Sequence, residues 1–442
     1  MYDDGTPFFY LGDTHWTLPV EEIDGIGGIS QEVADQYGIT SQFKHIMDYR
    51  AEQGYTVIQS QQLGWYTGAT GNSWMGDSTG SIFVYGVNND ILKKFQELDR
   101  YFAYIAEKGL VHSHTQFAYP EELIESFQVN AIDKEKLDML CRYWVARYSA
   151  YPVLWATTQE GDDDYYAWQG CTPLDNPWLI VMNSIAKYDP YDHPSTCHQE
   201  NVGNTRVNTS IFGQMTVHSW YAAQWSANIK NRSEVDWNML IEYWANPDSK
   251  PVVNYEGRYD HFWGGTFVAR SQGWLAFLNG QFGYGYGIQP IWSIVWADYG
   301  EHTPTSDEVE EYERNFDWVE GLYSEAGQQL TYMKDFLTQF EWWKLVPCFN
   351  ASDYYLSSGT NYSVATIGNK LYVGYFYGSS VNTDDLGSFT EMENAQYEIR
   401  WMNCRTGEWT DAETVTIEKG VYKIPGKPDS GDWAVYAMLI EG

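Results

Sequence analysis

The chain has 442 residues, which is long for one ordinary domain but fits a large α/β barrel with a smaller module. Its 60 acidic residues against 26 basic ones give a formal net charge of −34, so its surface repels the phosphates of nucleic acids and anionic membranes. The 21 Trp, 36 Tyr and 19 Phe residues favour a carbohydrate ligand, since aromatic rings offer flat apolar faces with polar edges.

Strand-like and helix-like segments alternate along most of the chain, which predicts βα units and a parallel sheet. The predicted strands cover or end near residues 8–12, 55–59, 109–111, 152–159, 192–194, 215–217, 251–255 and 280–287. The predicted helices are 41–53, 90–108, 134–150, 178–187, 240–245, 270–278 and 308–336. Eight strands in this alternation predict a (β/α)8 barrel, also called a TIM barrel.

From about residue 349 the pattern changes to short alternating strands separated by Gly, Asn and Asp turns. Residues 362–367, 371–376, 395–401 and 433–438 are the clearest examples. They predict a small antiparallel β-sandwich, with domain limits of 1–345 for the barrel and 346–442 for the sandwich. Since no Pro/Ser-rich linker separates the two, we expect the sandwich to pack against the barrel.

Two of the predicted strands, the fourth and the seventh, end in a glutamate. Residues 152–159 lead to Glu160 and residues 251–255 lead to Glu256. Barrel enzymes carry their chemistry at the C-terminal ends of the strands, and a pair of carboxylates is what cleavage of a glycosidic bond requires. We predict that Glu160 is the acid/base and Glu256 the nucleophile. Either glutamate could instead cap a helix or pair with an arginine, and Asp162 or Asp163 could take the place of Glu160.

Further polar and aromatic residues near predicted strand ends are candidates for sugar binding. The set comprises Asp13, His15, Trp16, Gln61, Trp65, His114, His218, Trp220, Tyr255, Tyr259 and Trp292. For Asp13, a structural cap is an equal alternative. The histidines favour hydroxyl recognition over a zinc site, and the glycine-rich run 280–287 lacks the spacing of a nucleotide-binding loop. We therefore predict no metal and no cofactor.

Cysteine content and hydropathy bear on the compartment. The five cysteines are scattered and odd in number, which argues against a disulfide framework or a zinc site. No apolar stretch is as long as a membrane span. Because the folded pattern starts by Pro7, we expect a mature exported protein that is secreted, periplasmic or on the cell surface.

Several segments resemble the bacterial apiosidase-like glycoside hydrolases, family 140 and its relatives. The opening sequence DGTPFFYLGDTHW (4–16) carries the resemblance, which continues at 50–59, 218–220, 254–259 and 270–292 and in the C-terminal stretch 397–409. The resemblance implies a (β/α)8 barrel with an acid/base after strand four and a glutamate after strand seven. Glu256 matches the second position. At the first position the family usually has Gly-Gly-Asp, whereas this chain has Thr158-Gln159-Glu160.

Together these features predict a glycoside hydrolase that removes a terminal sugar, such as the furanose apiose, from a plant or bacterial oligosaccharide or polysaccharide. We expect a retaining mechanism, for which carboxyl groups roughly 5–5.5 Å apart are needed, whereas inversion needs about 6.5–9.5 Å. The alternative is a non-catalytic glycan-binding protein on a degenerate glycosidase barrel. The sequence carries no prediction about oligomeric state.

Overall fold

The computed structural model describes residues 1–2, 4–16, 23–61, 89–115, 134–157, 177–199, 219–232, 234–245, 250–261, 264–292, 318–349, 362–378 and 386–440. Its first part is a ring of parallel strands surrounded by helices, so the predicted (β/α)8 barrel is confirmed.

The barrel strands follow one another around the ring in chain order. They are β1 (Tyr10–His15), β2 (Val57–Gln61), β3 (Val111–Thr115), β4 (Val153–Ala156), β5 (Ser195–Thr196), β6 (His198–Gln199), β7 (Tyr221–Gln224), and, after a hairpin of β8 (Ile229–Asn231) and β9 (Glu234–Val235), β10 (Val252–Glu256) and β11 (Gly283–Tyr286). The short segments β5 and β6 flank Cys197. Because β5 pairs with β4 and β6 pairs with β7, the two act as one interrupted strand, the fifth of eight.

The helices cover the outside of this ring, except for a short one that ends at Trp292, whose side chain packs in the barrel interior. They are α1 (Gln31–Tyr37), α2 (Gln42–Gln53), α3 (Asn89–Glu107), α4 (Lys134–Tyr148), α5 (Pro177–Tyr188), α6 (Trp237–Ala245), α7 (Thr266–Leu278), α8 (Gln289–Trp292), α9 (Trp318–Leu322) and α10 (Glu325–Leu337). Helix α2 shows the local logic: the Ser41 side chain accepts a hydrogen bond from the Lys44 N–H, and Gly54 ends the helix with φ of 95°. None of the described helices is both long and apolar enough to span a membrane.

Three predicted elements differ from the structure. The fifth strand, predicted at 192–194, lies at Ser195–Thr196 and His198–Gln199. The expected helix 308–336 is broken in its described part, because α9 ends at Leu322 and the Ser324 side chain caps the start of α10. The sixth strand was expected at 215–217, which lies outside the described residues, but the structure has this strand at Tyr221–Gln224. Its Tyr-Ala-Ala-Gln sequence has little of the β-branched character by which strands are recognised, which explains the misplacement.

The side chains of each strand alternate between the barrel interior and the helices. On β1, Tyr10 points into the interior, whereas Leu11 packs in the core between strands and helices. The interior cluster is Tyr10, Trp16, Val57, Ala156, Trp220, Ala222, Val253, Tyr255, Tyr259 and Trp292. This alternation decides which residues can line a binding site.

The C-terminal region is antiparallel, as predicted. A six-stranded sheet with the order β12-β13-β14-β19-β16-β17 packs over the two-stranded sheet of β15 and β18. The strands are β12 (Val346–Pro347), β13 (Tyr362–Ile367), β14 (Leu371–Phe376), β15 (Ser388–Phe389), β16 (Gln396–Asn403), β17 (Glu413–Thr416), β18 (Tyr422–Lys423) and β19 (Trp433–Leu439). The domain limits 1–345 and 346–442 stay predictions.

The other face of the large sheet packs on the barrel helices. Trp274 of α7 stacks on Tyr375 of β14, with ring centroids 5.2 Å apart and an angle of 7° between the planes. Beside this stack, Arg270 makes two hydrogen bonds of 2.7 Å to Asp432, and both residues are buried. The barrel and the sheet therefore share a continuous interface with a polar centre.

Candidate active site

Glu256 is the last residue of β10 and is only 5% exposed. Val253 and Tyr255 point into the barrel interior, so uninterrupted alternation would turn Glu256 toward the helices. The pairing of β10 with β7 shifts register between Asn254 and Glu256, which marks a β-bulge. A bulge re-aims the side chain that follows it, and here it brings the Glu256 carboxylate to the interior residues Tyr259 and Gln224.

The hydrogen bonds around Glu256 have a defined direction. The Trp16 indole N–H lies 2.5 Å from the Tyr259 hydroxyl oxygen and can only donate. The Tyr259 hydroxyl therefore accepts a hydrogen bond from Trp16 and donates one to Glu256 Oε1. Gln224 Nε2 donates to Oε2 at 3.3 Å. Both partners donate to the carboxylate, which is the environment that an ionised nucleophile needs.

His198 completes this group from the interrupted fifth strand. Its Nε2 lies 3.5 Å from Glu256 Oε2, and its ring lies beside Trp16 and Tyr255. Burial lowers the pKa of His198 to about 3, so the ring is neutral at neutral pH. Sequence reasoning missed both His198 and Gln224. The signal for His198 was weak, because only two residues form the strand on either side of Cys197.

Aromatic rings form the walls around the carboxylate. Trp292 stacks on Tyr259 with centroids 4.6 Å apart and a 14° interplanar angle, and its backbone carbonyl accepts a hydrogen bond from the backbone N–H of Trp16. The Tyr255 hydroxyl lies 3.2 Å from Ser113 Oγ, below the site. The structure thus brings the predicted residues Trp16, Tyr255, Tyr259 and Trp292 together with Glu256. Gln61 ends β2 on its interior-facing side, at the same end of the barrel.

Asp13 and His15 point the other way, toward helix α2. Asp13 Oδ2 accepts from Arg50 Nε at 2.9 Å and lies 2.8 Å from His15 Nε2. Burial acts to raise the pKa of Asp13, but the Arg50 guanidinium and the His15 ring hold it below the usual value. The structure places Asp13 and His15 in a buried polar link between strand and helix and not beside Glu256, because odd-numbered residues of β1 face outward; for Asp13 this agrees with the structural alternative to a sugar contact.

Two further residues predicted to bind sugar, His114 and Trp220, also lie away from Glu256. His114 is on the outer face of β3, where its ring stacks on Trp144 of α4 with centroids 5.5 Å apart and also contacts Phe102 of α3. Burial lowers its pKa well below the usual value. Trp220 precedes β7 and packs with Tyr10 at the N-terminal end of the barrel. His114 thus faces the helices and Trp220 lies at the opposite end, so neither side chain lines the interior beside Glu256.

The remaining predicted residues lie outside the described part of the chain. These are Glu160, Trp65 and His218, together with the alternatives Asp162 and Asp163. Strand β4 ends at Ala156, whose side chain faces the interior, and Glu160 follows four residues later in the sequence. Within the described ranges, no group of three or more His, Cys, Asp or Glu residues is arranged to hold a metal ion.

Comparison with known proteins agrees with this geometry. Residues 1–344 match the family described as "Apiosidase-like, catalytic domain". A solved structure titled "Glycoside hydrolase" is 17% identical, with a TM-score of 0.66 over 99% of this chain and 94% of the other. A glycoside hydrolase family 5 protein from Bacteroides vulgatus ATCC 8482 is 16% identical, with a TM-score of 0.66 over 99% and 91%. Such identities show a shared fold. No curated protein matches the chain.

Proposed function

Because the chain belongs to the apiosidase-like family and is a glycosidase, we propose that it removes a terminal sugar from a plant or bacterial glycan with retention of configuration. Glu256 is the nucleophile in this proposal. The observation that carries it is the buried Glu256 carboxylate, which lies at the C-terminal end of β10 and accepts hydrogen bonds from Tyr259 and Gln224.

The mechanism has two steps in which the same pair of carboxyl groups acts. In the first, Glu256 attacks the anomeric carbon while Glu160 protonates the leaving glycosidic oxygen, and a covalent glycosyl ester forms. In the second, Glu160 takes a proton from water, the water oxygen attacks the anomeric carbon, and the ester bond to Glu256 breaks. Glu160 is assigned to this role because it follows the fourth barrel strand.

Residues around Glu256 support a nucleophilic role. Trp16 holds the Tyr259 hydroxyl in place, so this hydroxyl donates its hydrogen bond to Glu256 Oε1 and orients the carboxylate. Because His198 is neutral, it can form a hydrogen bond with the carboxylate or with a sugar hydroxyl without forming a fixed ion pair with the nucleophile. The catalytic carboxylate is therefore available for attack on carbon.

The aromatic walls support recognition of a single sugar ring. Among the described residues, the interior below Glu256 is filled by Tyr255, Trp220 and Tyr10, so a substrate reaches the carboxylate from the C-terminal end of the barrel. We propose exo action on a chain terminus. The family description supports a furanose such as apiose as the sugar, and we propose that the enzyme acts outside the cytoplasm, where such glycans occur.

The test is hydrolysis of a panel of 4-nitrophenyl glycosides, including the β-D-apiofuranoside, by wild type and by Glu256→Gln. We expect kcat to fall by about 10⁴-fold or more in the variant. Glu398→Gln is the matched control, because Glu398 also accepts a hydrogen bond from a tyrosine hydroxyl, that of Tyr436, but lies in the C-terminal sheet. With azide present, Glu256→Ala should release a glycosyl azide of inverted configuration, as expected when a small anion replaces the nucleophile.

Two outcomes would overturn the proposal. Retention of wild-type kcat by Glu256→Gln would remove Glu256 from the nucleophile position. If the wild type is as inactive as Glu256→Gln on the whole panel and yet binds glycans in calorimetry, the non-catalytic glycan-binding alternative replaces hydrolysis.

A further inference from the structure

The side chain of Gln59 crosses the barrel interior to reach the backbone of the nucleophile strand. Gln59 lies on β2, and its Nε2 donates a hydrogen bond of 2.7 Å to the Tyr255 carbonyl oxygen on β10. Tyr255 is the residue between Asn254 and Glu256, where the register of β10 shifts against β7. A side-chain amide on one strand therefore holds the backbone of the bulge on another.

Two paired glycines make this crossing possible. The strand order is β2-β1-β11-β10, so the side chain must pass over β1 and β11. Gly12 of β1 and Gly285 of β11 are direct partners in the sheet. A Cβ atom at Gly12 would lie 2.7 Å from Gln59 Oε1, and one at Gly285 would collide with the Tyr255 carbonyl oxygen. The absence of two side chains thus leaves a passage that the Gln59 carboxamide fills.

The orientation of the carboxamide is determined by its other partners. The Tyr10 hydroxyl lies 3.1 Å from Oε1 and donates to it. Nε2 is then directed to the Tyr255 carbonyl oxygen and to Thr14 Oγ1, which is 3.2 Å away. Gln59, Tyr10 and Thr14 are all fully buried, so no water competes for these bonds.

We propose that Gln59 is a positioning residue that holds the bulge at Tyr255 and thereby fixes the direction of the Glu256 carboxylate. The proposal rests on the proposed role of Glu256 as nucleophile. Without the amide donor, the bulge relaxes and the carboxylate moves away from the line of attack. A displacement of about 1 Å at a reacting group costs about 100-fold in rate. Substrate binding depends on the aromatic walls, so the loss belongs in kcat and not in KM.

The test uses Gln59→Met in the full chain, which keeps the length of the side chain and removes the amide. On a glycoside that the wild type hydrolyses, we expect kcat to fall by about 10-fold to 100-fold with KM within about twofold. The control is Asn279→Leu. Asn279 is also a buried amide that donates to a backbone carbonyl, that of Leu275 at 2.7 Å, but it lies at the far end of the barrel. We expect it to lower the melting temperature and leave kcat unchanged.

If Gln59→Met does not fold, Gly12→Ala provides the second variant, because its added methyl group displaces the Gln59 carboxamide without removing it. It should show the same loss of kcat. The proposal is overturned if a folded variant keeps kcat within twofold of wild type, or if Asn279→Leu loses as much activity. Those results leave the role of Glu256 standing, whereas an active Glu256→Gln would show that the proposed function itself is wrong.

Discussion

The ion pair between the barrel and the C-terminal sheet provides a sharp test of how the two parts depend on each other. Arg270 of α7 and Asp432 are 3% and 0% exposed, and two hydrogen bonds of 2.7 Å join them. Burial acts to raise the pKa of Asp432, but the Arg270 guanidinium holds it below the usual value. Arg270→Met leaves the charge of Asp432 buried, with the Tyr375 hydroxyl at 2.9 Å among its remaining donors.

We expect Arg270→Met to lower the free energy of unfolding at neutral pH by about 3–5 kcal/mol, the usual cost of an uncompensated buried charge. The double variant Arg270→Met/Asp432→Leu should be more stable than Arg270→Met alone, because the uncompensated carboxylate is gone. The destabilisation by Arg270→Met should shrink as the pH falls. In the wild type the lowered pKa stabilises the fold above the unfolded value of 3.8 and this stability is lost in acid, whereas the variant lacks it.

Urea unfolding followed by tryptophan fluorescence and by far-UV circular dichroism measures these energies. Arg405→Met is the control, since Arg405 and Asp429 also form an arginine–aspartate pair, with Nη2 at 2.7 Å and 2.8 Å from the two carboxylate oxygens, but with side chains 34% and 48% exposed. It should change stability by less than about 1 kcal/mol. A change below about 1 kcal/mol in Arg270→Met, or a double variant less stable than the single one, would refute the reasoning.

Three further predictions concern buried polar side chains. Two of these, Tyr259 and His198, contact Glu256, and the third, Asp260, is buried after β10 and accepts a hydrogen bond of 3.0 Å from the Tyr286 hydroxyl. Tyr259→Phe removes the hydroxyl between Trp16 and Glu256, so kcat should fall by about 10-fold to 100-fold with KM nearly unchanged in a steady-state assay; an unchanged kcat would contradict the role of that hydroxyl. Burial raises the pKa of Asp260 from 3.8 to about 6, so the native state prefers its proton and loses stability as pH rises through this window. Above pH 6, Asp260→Asn should therefore unfold at higher urea than wild type, with a free energy of unfolding higher by at most about 3 kcal/mol. Below pH 4 it should show no gain. Burial lowers the pKa of His198 from 6.5 to about 3, so the free energy of unfolding falls as the pH drops through that range. In urea unfolding measured across this range, His198→Phe should reduce the slope of that free energy against pH by about one proton. An unaltered slope would show that His198 is already charged in the native state.

Much of the barrel could be predicted from the sequence because its signals are local. The apolar spacing within residues 41–53 predicted α2, and the run from Pro251 to Tyr255 predicted a strand ending at Glu256. The resemblance at the first and seventh strands then agreed with this order of elements. Where the local signal was weak, at Tyr-Ala-Ala-Gln and at the two-residue pieces around Cys197, the strands were misplaced.

The direction of each side chain at a strand end could not be read in the same way. Asp13 and His114 lie near strand ends, but each is on the face that packs against helices, so one pairs with Arg50 and the other stacks on Trp144. For a regular strand, an error of one residue in register exchanges the two faces, and no local pattern prevents that error.

Glu256 shows what each level determined. The sequence by itself determined that a carboxylate follows a buried strand in a chain rich in aromatic residues. Only the tertiary structure decided that this carboxylate faces the interior, because the direction depends on the bulge against β7 and on contacts from Tyr259, Gln224 and, through the backbone, Gln59. Those residues are far apart in the sequence and meet only when the barrel closes.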